Sequence, residues 1–256
     1  MKTVVIIQAR MGSSRFPGKM LKPLAGRAVI EWVFDRARAI AGPDAVVVAT
    51  TVSFVDDPLV AFCHERKIPV YRGSENDVLD RYYQVAKALQ ADVVMRITGD
   101  CPLLDPRESG KVLKAFLRTP DCDYASNNTP ASYPDGLDTE AVRFQTLEWM
   151  WKNTHEKPYR EHVTYYVRSH MDKFRVIGVG HAPNLAHLRW TLDEAADYQL
   201  LSALAQELGE RNQFGYLDEV LAILEAHPDL CDANKHIGRD EGLAKSLRET
   251  PLAKEG

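Results

Sequence analysis

The chain has 256 residues, 45% of them apolar and 27% charged, with a formal net charge of −4 at pH 7. That balance fits one large α/β domain, alone or with a modest appendage, and excludes a disordered or fibrous chain. No apolar run approaches the roughly 18 residues of a membrane span, and no long basic stripe suits nucleic acid.

The opening Met1-Lys2, a short apolar run and then a polar loop do not read as a signal peptide. Cys63, Cys101, Cys122 and Cys231 show neither disulfide nor zinc spacing. A cytoplasmic protein with reduced thiols is therefore expected.

In chain order, Thr3-Val4-Val5-Ile6-Ile7 is short, apolar and β-branched, the pattern of a buried parallel strand. A loop follows, from Gln8 to Lys19. Residues 28–41 carry Ile30, Val33, Phe34, Ala37 and Ile40 at helical spacing, and Gly42-Pro43 stops them. Residues 45–50 form the next strand and 56–66 a helix. Ile68-Pro69-Val70-Tyr71 is a strand, 77–89 a helix and 92–97 a strand. This βαβα order predicts an α/β fold with a mostly parallel, doubly wound sheet, whose ligands sit beyond the carboxyl ends of the strands. Residues 120–139 are rich in Pro, Asn, Asp and Ser, too polar and broken for a core element. Helices are expected over 144–153, 159–169 and 194–207, and strands over 174–179 and 188–192. A peripheral helix with a frayed tail is expected over 228–256.

The loop after the first strand holds Arg10, Arg15 and Lys19, with Gly12, Ser13, Ser14 and Gly18 between them. From Met1 to Arg27 there are six Lys or Arg and no Asp or Glu, so positive charge is concentrated here in a net acidic chain. Fixed cations, hydroxyls and free backbone N–H groups suit a polyphosphate. Neither a Walker loop nor G-x-G-x-x-G is present.

Asp100 ends the 93–99 segment and Asp193 ends 188–192. Acids placed just beyond strands suit Mg²⁺; Asp193, before a helix at Glu194, is equally placed to be a helix N-cap, whereas the Gly-Asp-Cys-Pro turn of Asp100 favours the metal over that role. Tyr133-Pro134-Asp135-Gly136-Leu137-Asp138-Thr139-Glu140 is either a turn or a cluster of acids for polyol hydroxyls or a second metal. Arg160-Glu161-His162 would contact an anionic acceptor or form ion pairs at a subunit contact. Trp149-Met150-Trp151 and Tyr165-Tyr166 are either core or interface.

The segment Ile6-Ile7-Gln8-Ala9-Arg10-Met11-Gly12-Ser13-Ser14-Arg15-Phe16-Pro17-Gly18-Lys19 resembles the opening motif of cytidylyltransferases that activate acidic sugars, closest to CMP-Kdo synthetases. Gly99-Asp100-x-Pro102 and Thr191-x-Asp193 resemble that superfamily's metal motifs. Arg72-Gly73-Ser74-Glu75-Asn76-Asp77-Val78-Leu79-Asp80-Arg81-Tyr82, Pro134 through Glu140, and Arg160-Glu161-His162-Val163-Thr164 resemble the SpsF-like, spore-coat polysaccharide branch. So does the ending, His236-Ile237-Gly238-Arg239 with Lys245-Ser246-Leu247.

The resemblance implies a nucleotidyltransferase fold related to GT-A glycosyltransferases, with Mg²⁺, CTP as donor, an acidic sugar as acceptor and a homodimer. Arg10, Ser13, Arg15 and Lys19 would hold the phosphates, with Ala9 and Gly12 in the same loop. Arg72, Ser74 and Asp77 would line the nucleotide pocket, and Asp100 and Asp193 would hold the metal. Arg10, Arg15, Lys19 and Asp100 form the expected catalytic set, and Asp135, Asp138, Glu140, Arg160 and His162 the acceptor set. Residues 1–226 would form the nucleotidyltransferase domain, with a dimerisation or acceptor segment near 120–170, and 227–256 a peripheral end. Gln8, Thr98 and Cys101 depart from the Kdo pattern and point away from Kdo itself. The other readings are a GT-A-type glycosyltransferase, which would release no pyrophosphate, and a non-catalytic nucleotide-binding subunit.

Overall fold

Val4, Val5, Ile6 and Ile7 have no solvent-exposed surface, as a strand covered on both faces requires. In the computed structural model, which describes residues 1–212 and 214–252, they form most of β1 (Thr3–Gln8). A small hairpin of β2 (Pro23–Leu24) and β3 (Arg27–Ala28) follows, then α1 (Val29–Arg38), β4 (Ala45–Thr51), α2 (Asp57–Glu65) and β5 (Val70–Gly73). The chain continues through α3 (Val78–Ala88), β6 (Val93–Thr98), α4 (Pro106–Arg118), β7 (Tyr124–Ser126) and β8 (Glu140–Arg143). Next come α5 (Phe144–Asn153), α6 (Lys157–Glu161), α7 (Tyr165–Ser169) and β9 (Val176–Gly178). The last elements are α8 (Ala195–Glu210), α9 (Leu217–Ala226) and α10 (Glu241–Glu249).

Seven strands make one sheet in the order β5-β4-β1-β6-β8-β7-β9. Pairings β4–β5, β1–β4, β1–β6 and β7–β9 are parallel, and β6–β8 and β7–β8 antiparallel. The alternation along β1 splits the core. Val5 and Ile7 pack with α1 and α4 on one face, and Val4 and Ile6 with α3 and α5 on the other. A third apolar cluster gathers α8 and α9 around Trp190 and Leu192. The chain leaves β1 first toward β4 and β5 and later returns to β6 on the opposite side. The crevice between the carboxyl ends of β1 and β6 is thus the topological switch point. Register sets Gln8 beside Thr98, so the loops that follow both strands emerge together.

Three expectations need correction. The polar stretch 120–139 contains β7, whose Tyr124, Ala125 and Ser126 are fully buried. Its polar neighbours are spent on local hydrogen bonds: Asp123 accepts from Thr146 and Arg175, and Asn127 bridges Leu137 and Thr139. Residues 188–192 are not a strand but make one parallel bridge, Asp135 to Arg189. The 159–169 helix is broken in two, with Val163 at a φ of 42°. Among the described residues, no helix is long and apolar enough to cross a membrane. The frayed end expected over residues 253–256 lies outside the described residues.

Candidate active site

The loop after β1 is tethered at its start and closed at its end. Asp56, buried after β4, accepts the Met11 N–H at 2.7 Å and hydrogen bonds from both Thr50 and Thr51. Met11 O accepts from the N–H groups of Ser13 and Gly18. Gly18 sits at a φ of 71°, where a side chain would be strained. Across the crevice, Gly99 has no room for more. A Cβ there would come within 2.9 Å of Ala9 Cβ and Met20 Sδ and 3.1 Å of Gln8 O. Its N–H bonds to Gln8 O at 2.8 Å, which locks the 98–102 turn against the cationic loop.

That contact brings Lys19 and Asp100 of the expected catalytic set together with Asp193. Lys19, a residue 6% exposed, donates through its ammonium to Asp100 Oδ2 and Asp193 Oδ1, both at 2.8 Å, and to Leu192 O at 2.7 Å. Burial alone would lower the Lys19 pKa, but the two carboxylates outweigh it and the value is raised. Burial pulls Asp100 upward, but Lys19, with the Thr98 hydrogen bond, overrides it and holds the carboxyl at about 2. Arg15 reaches the other oxygen of Asp193 at 3.0 Å and also meets Glu194 and Glu241. Arg10 is exposed, with no hydrogen bond or ion pair among the described residues.

Neither Asp100 nor Asp193 is a helix cap. The cap of α4 is Asp105, which accepts from the N–H groups of Arg107 and Glu108. At α8 the N–H groups of Asp193 and Glu194 go to Asp197 Oδ2. Asp197 is fully buried and also takes Arg189 and Asn234. Both Asp100 and Asp193 therefore keep their carboxylates for the crevice.

A charged band continues from there. Arg189 links Asp135, Asp193, Asp197 and Gly238 O, and Arg239 pairs with Asp138 and donates to Tyr133 O. Burial, then the like charge of Asp138, pushes Asp135 up to about 7 despite both arginines. Asp138 is raised as well, again by burial first. Turn geometry fixes these acids: Gly136 has a φ of 111°, and a Cβ there would lie 2.6 Å from the Trp190 backbone.

Other expected residues stand apart. Arg72 donates to Thr51 O and Ser53 O and pairs with Asp57 at 2.7 Å. Asp77 caps α3 and takes Arg160, which also holds Trp151 O and Thr154 O. Ser74 lies half-buried just after β5. Glu140 is buried on β8, where its hydrogen bonds go to Arg96, Tyr124 and Thr164 rather than to the Asp135–Asp138 turn, although its charge adds to the rise of Asp138. Burial pushes His162 down to about 4, and its Nε2 has no partner.

Sequence reading missed Asp56, Asp197, Arg189 and Glu241 as parts of this assembly. Asp197, three residues past a helix start, was the one with a readable signal, the capping-box position. The segment expected at the periphery supplies Asn234, Arg239 and Glu241 to the same assembly.

Comparison with known proteins identifies the family. A family model described as cytidylyltransferase matches residues 4–218. The spore coat polysaccharide biosynthesis protein SpsF of Bacillus subtilis is 36% identical over 233 residues, covering 88% of this chain and 94% of that protein. A cytidylyltransferase from Leptospira borgpetersenii superimposes with a TM-score of 0.85 at 27% identity, over 90% of this chain and 97% of that one. CMP:2-keto-3-deoxy-manno-octonic acid synthetase, solved in complex with CTP, shares the fold. Its TM-score is 0.62 at 23% identity, over 81% of this chain and all of that one. The matched span, residues 4–218, includes the cationic loop, Asp100 and Asp193, and the chain belongs to the cytidylyltransferase family as a CTP-dependent nucleotidyltransferase.

Proposed function

We propose that the enzyme couples CTP to an acidic sugar, giving a CMP-sugar and pyrophosphate for a surface polysaccharide, with Mg²⁺ at the Asp100–Asp193 pair. The observation that carries this reading is the convergence of both carboxylates on the single Lys19 ammonium. Two acids that share one monovalent cation are also placed to flank a divalent one, and oxygen donors suit a hard ion. Among the described residues no group of three His, Cys, Asp or Glu is arranged to hold a metal. Waters and substrate phosphates would complete the shell, as is usual for Mg²⁺. When bound, the ion supplies charge neutralisation on the phosphates.

In this reading Arg10, Arg15 and Lys19 take the triphosphate, and the N–H groups of the 9–19 loop line it. An acceptor hydroxyl attacks the α-phosphorus in line and pyrophosphate leaves, with positioning and fixed charge supplying most of the catalysis. The acidic acceptor follows from the CMP-Kdo-type motifs, and the polysaccharide role from the SpsF relative. A homodimer working in the cytoplasm, where nucleoside triphosphates are available, completes the proposal.

Pyrophosphate release from CTP, measured with a panel of acidic and neutral sugars with Mg²⁺ or a chelator, tests it. Asp100→Asn should cut turnover on the order of 10²-fold or more with the fold intact. Full turnover in that variant or in chelator would remove the pair from the chemistry. Release with neutral sugars alone would change the acceptor class.

A further inference from the structure

Arg81, on α3, is 1% exposed, yet its guanidinium has no hydrogen bond or ion pair among the described residues, and its Nε and Nη1 are both buried. Its stem crosses Gly73 at the end of β5, where a Cβ would come within 2.7 Å of Arg81 Cγ. The acids that act on it electrostatically are Asp56 and Asp77. Both are spent elsewhere, Asp56 on Met11 N–H, Thr50 and Thr51, and Asp77 on the α3 cap and Arg160. Arg10, itself unpaired, adds repulsion rather than relief. Burial pushes the Arg81 guanidinium down from its usual value.

Such a group is not the habit of this chain. Arg36 is equally buried, but it donates to three carbonyls, those of Leu104, Phe214 and Gly215. Arg72, the arginine that the sequence pointed to, is committed to the 51–57 turn. A buried charged donor without a partner carries a desolvation cost that only an incoming acceptor can offset. Arg81 and Arg10 lie where β1, β4 and β5 end, the edge at which such sheets bind ligands.

We propose that Arg81 is a nucleotide-binding residue whose guanidinium fork, beside Arg10, takes a pair of adjacent acceptor atoms of the bound CTP. The inference rests on the CTP reading above. Two parts of CTP offer such a pair: phosphate oxygens, and the O2–N3 edge of cytosine. UTP has a donor at N3 and fails the second match.

Calorimetric titration of wild type, Arg81→Met and Arg81→Lys with CTP, UTP, cytidine and tripolyphosphate tests this, alongside the melting temperature of each free protein. Arg81→Met should weaken CTP at least about tenfold. Its melting temperature should not fall, because a partnerless buried cation is removed. A matching loss with tripolyphosphate assigns the fork to phosphate. A loss with cytidine, and a collapsed preference for CTP over UTP, assigns it to the base. Should Arg81→Met not fold, Arg81→Lys keeps the charge, loses the fork and gives the same readout. Unchanged CTP affinity in the folded variants overturns the inference alone. Failure of the wild type to bind CTP overturns the nucleotide reading and the inference with it.

Discussion

A single lysine decides the charge state of the site. Asp100 has a folded value near 2 against 3.8 for a free carboxyl, because Lys19 offsets its burial. A group depressed in this way stabilises the fold above the free value and loses that contribution as pH falls through the folded one. Its share is about 2 kcal/mol. Urea unfolding should therefore show Asp100→Asn about 2 kcal/mol less stable than wild type at pH 6. The gap should close between pH 4 and pH 2. A gap of constant size across that range would mean that the loss is one of packing, not of charge. Lys19→Met should cost more at pH 6 than Asp100→Asn, since it leaves two carboxylates facing each other with one cation fewer.

At the scale of elements, the site depends on two loops pressed together. Asp56 holds the cationic loop by the Met11 N–H, so Asp56→Ala strands two backbone donors, those of Met11 and Thr51, and two buried threonine hydroxyls. A loss of about 2–4 kcal/mol in urea unfolding and a weaker CTP affinity should appear together. Stability lost with CTP affinity unchanged would show that the tether does not shape the phosphate loop. Gly99→Ala pushes a methyl into Ala9 and Gln8 O and should cost about 1–3 kcal/mol, read the same way. The parallel half of the sheet was legible because β1, β4 and β6 are apolar β-branched runs separated by amphipathic helices. β7 and β8 were not, since their polar flanks read as loop until the hydrogen bonds of Asp123 and Asn127 are seen. Asp56 stands at the N-cap position of α2, but its carboxylate turns back to Met11 and the threonines of β4 instead of capping the helix.

Across the whole molecule, the phosphate loop and both crevice acids could be read locally, because each directly follows a strand. The second half of the site could not. Asp138 and Arg239 lie 101 positions apart, and no periodicity announces that the chain after α9 folds back onto the 133–140 turn. That return has an energetic signature. The folded value of Asp138 lies above its usual 3.8, burial being the main cause and Arg239 the main offset. An acid raised in the folded state contributes most below its unfolded value, and its contribution is lost as pH rises through the folded one. Arg239 limits that loss. Removing it should therefore matter less at pH 4, toward which protonation of Asp138 becomes more favoured, than at pH 8. Toward pH 8 the carboxylate form, buried beside Asp135, loses its partner, and the cost should rise to about 2–3 kcal/mol. Urea unfolding of Arg239→Met at the two pH values measures the difference. Equal losses at both would show that the arginine holds the turn through its hydrogen bond to Tyr133 O rather than through the charge of Asp138.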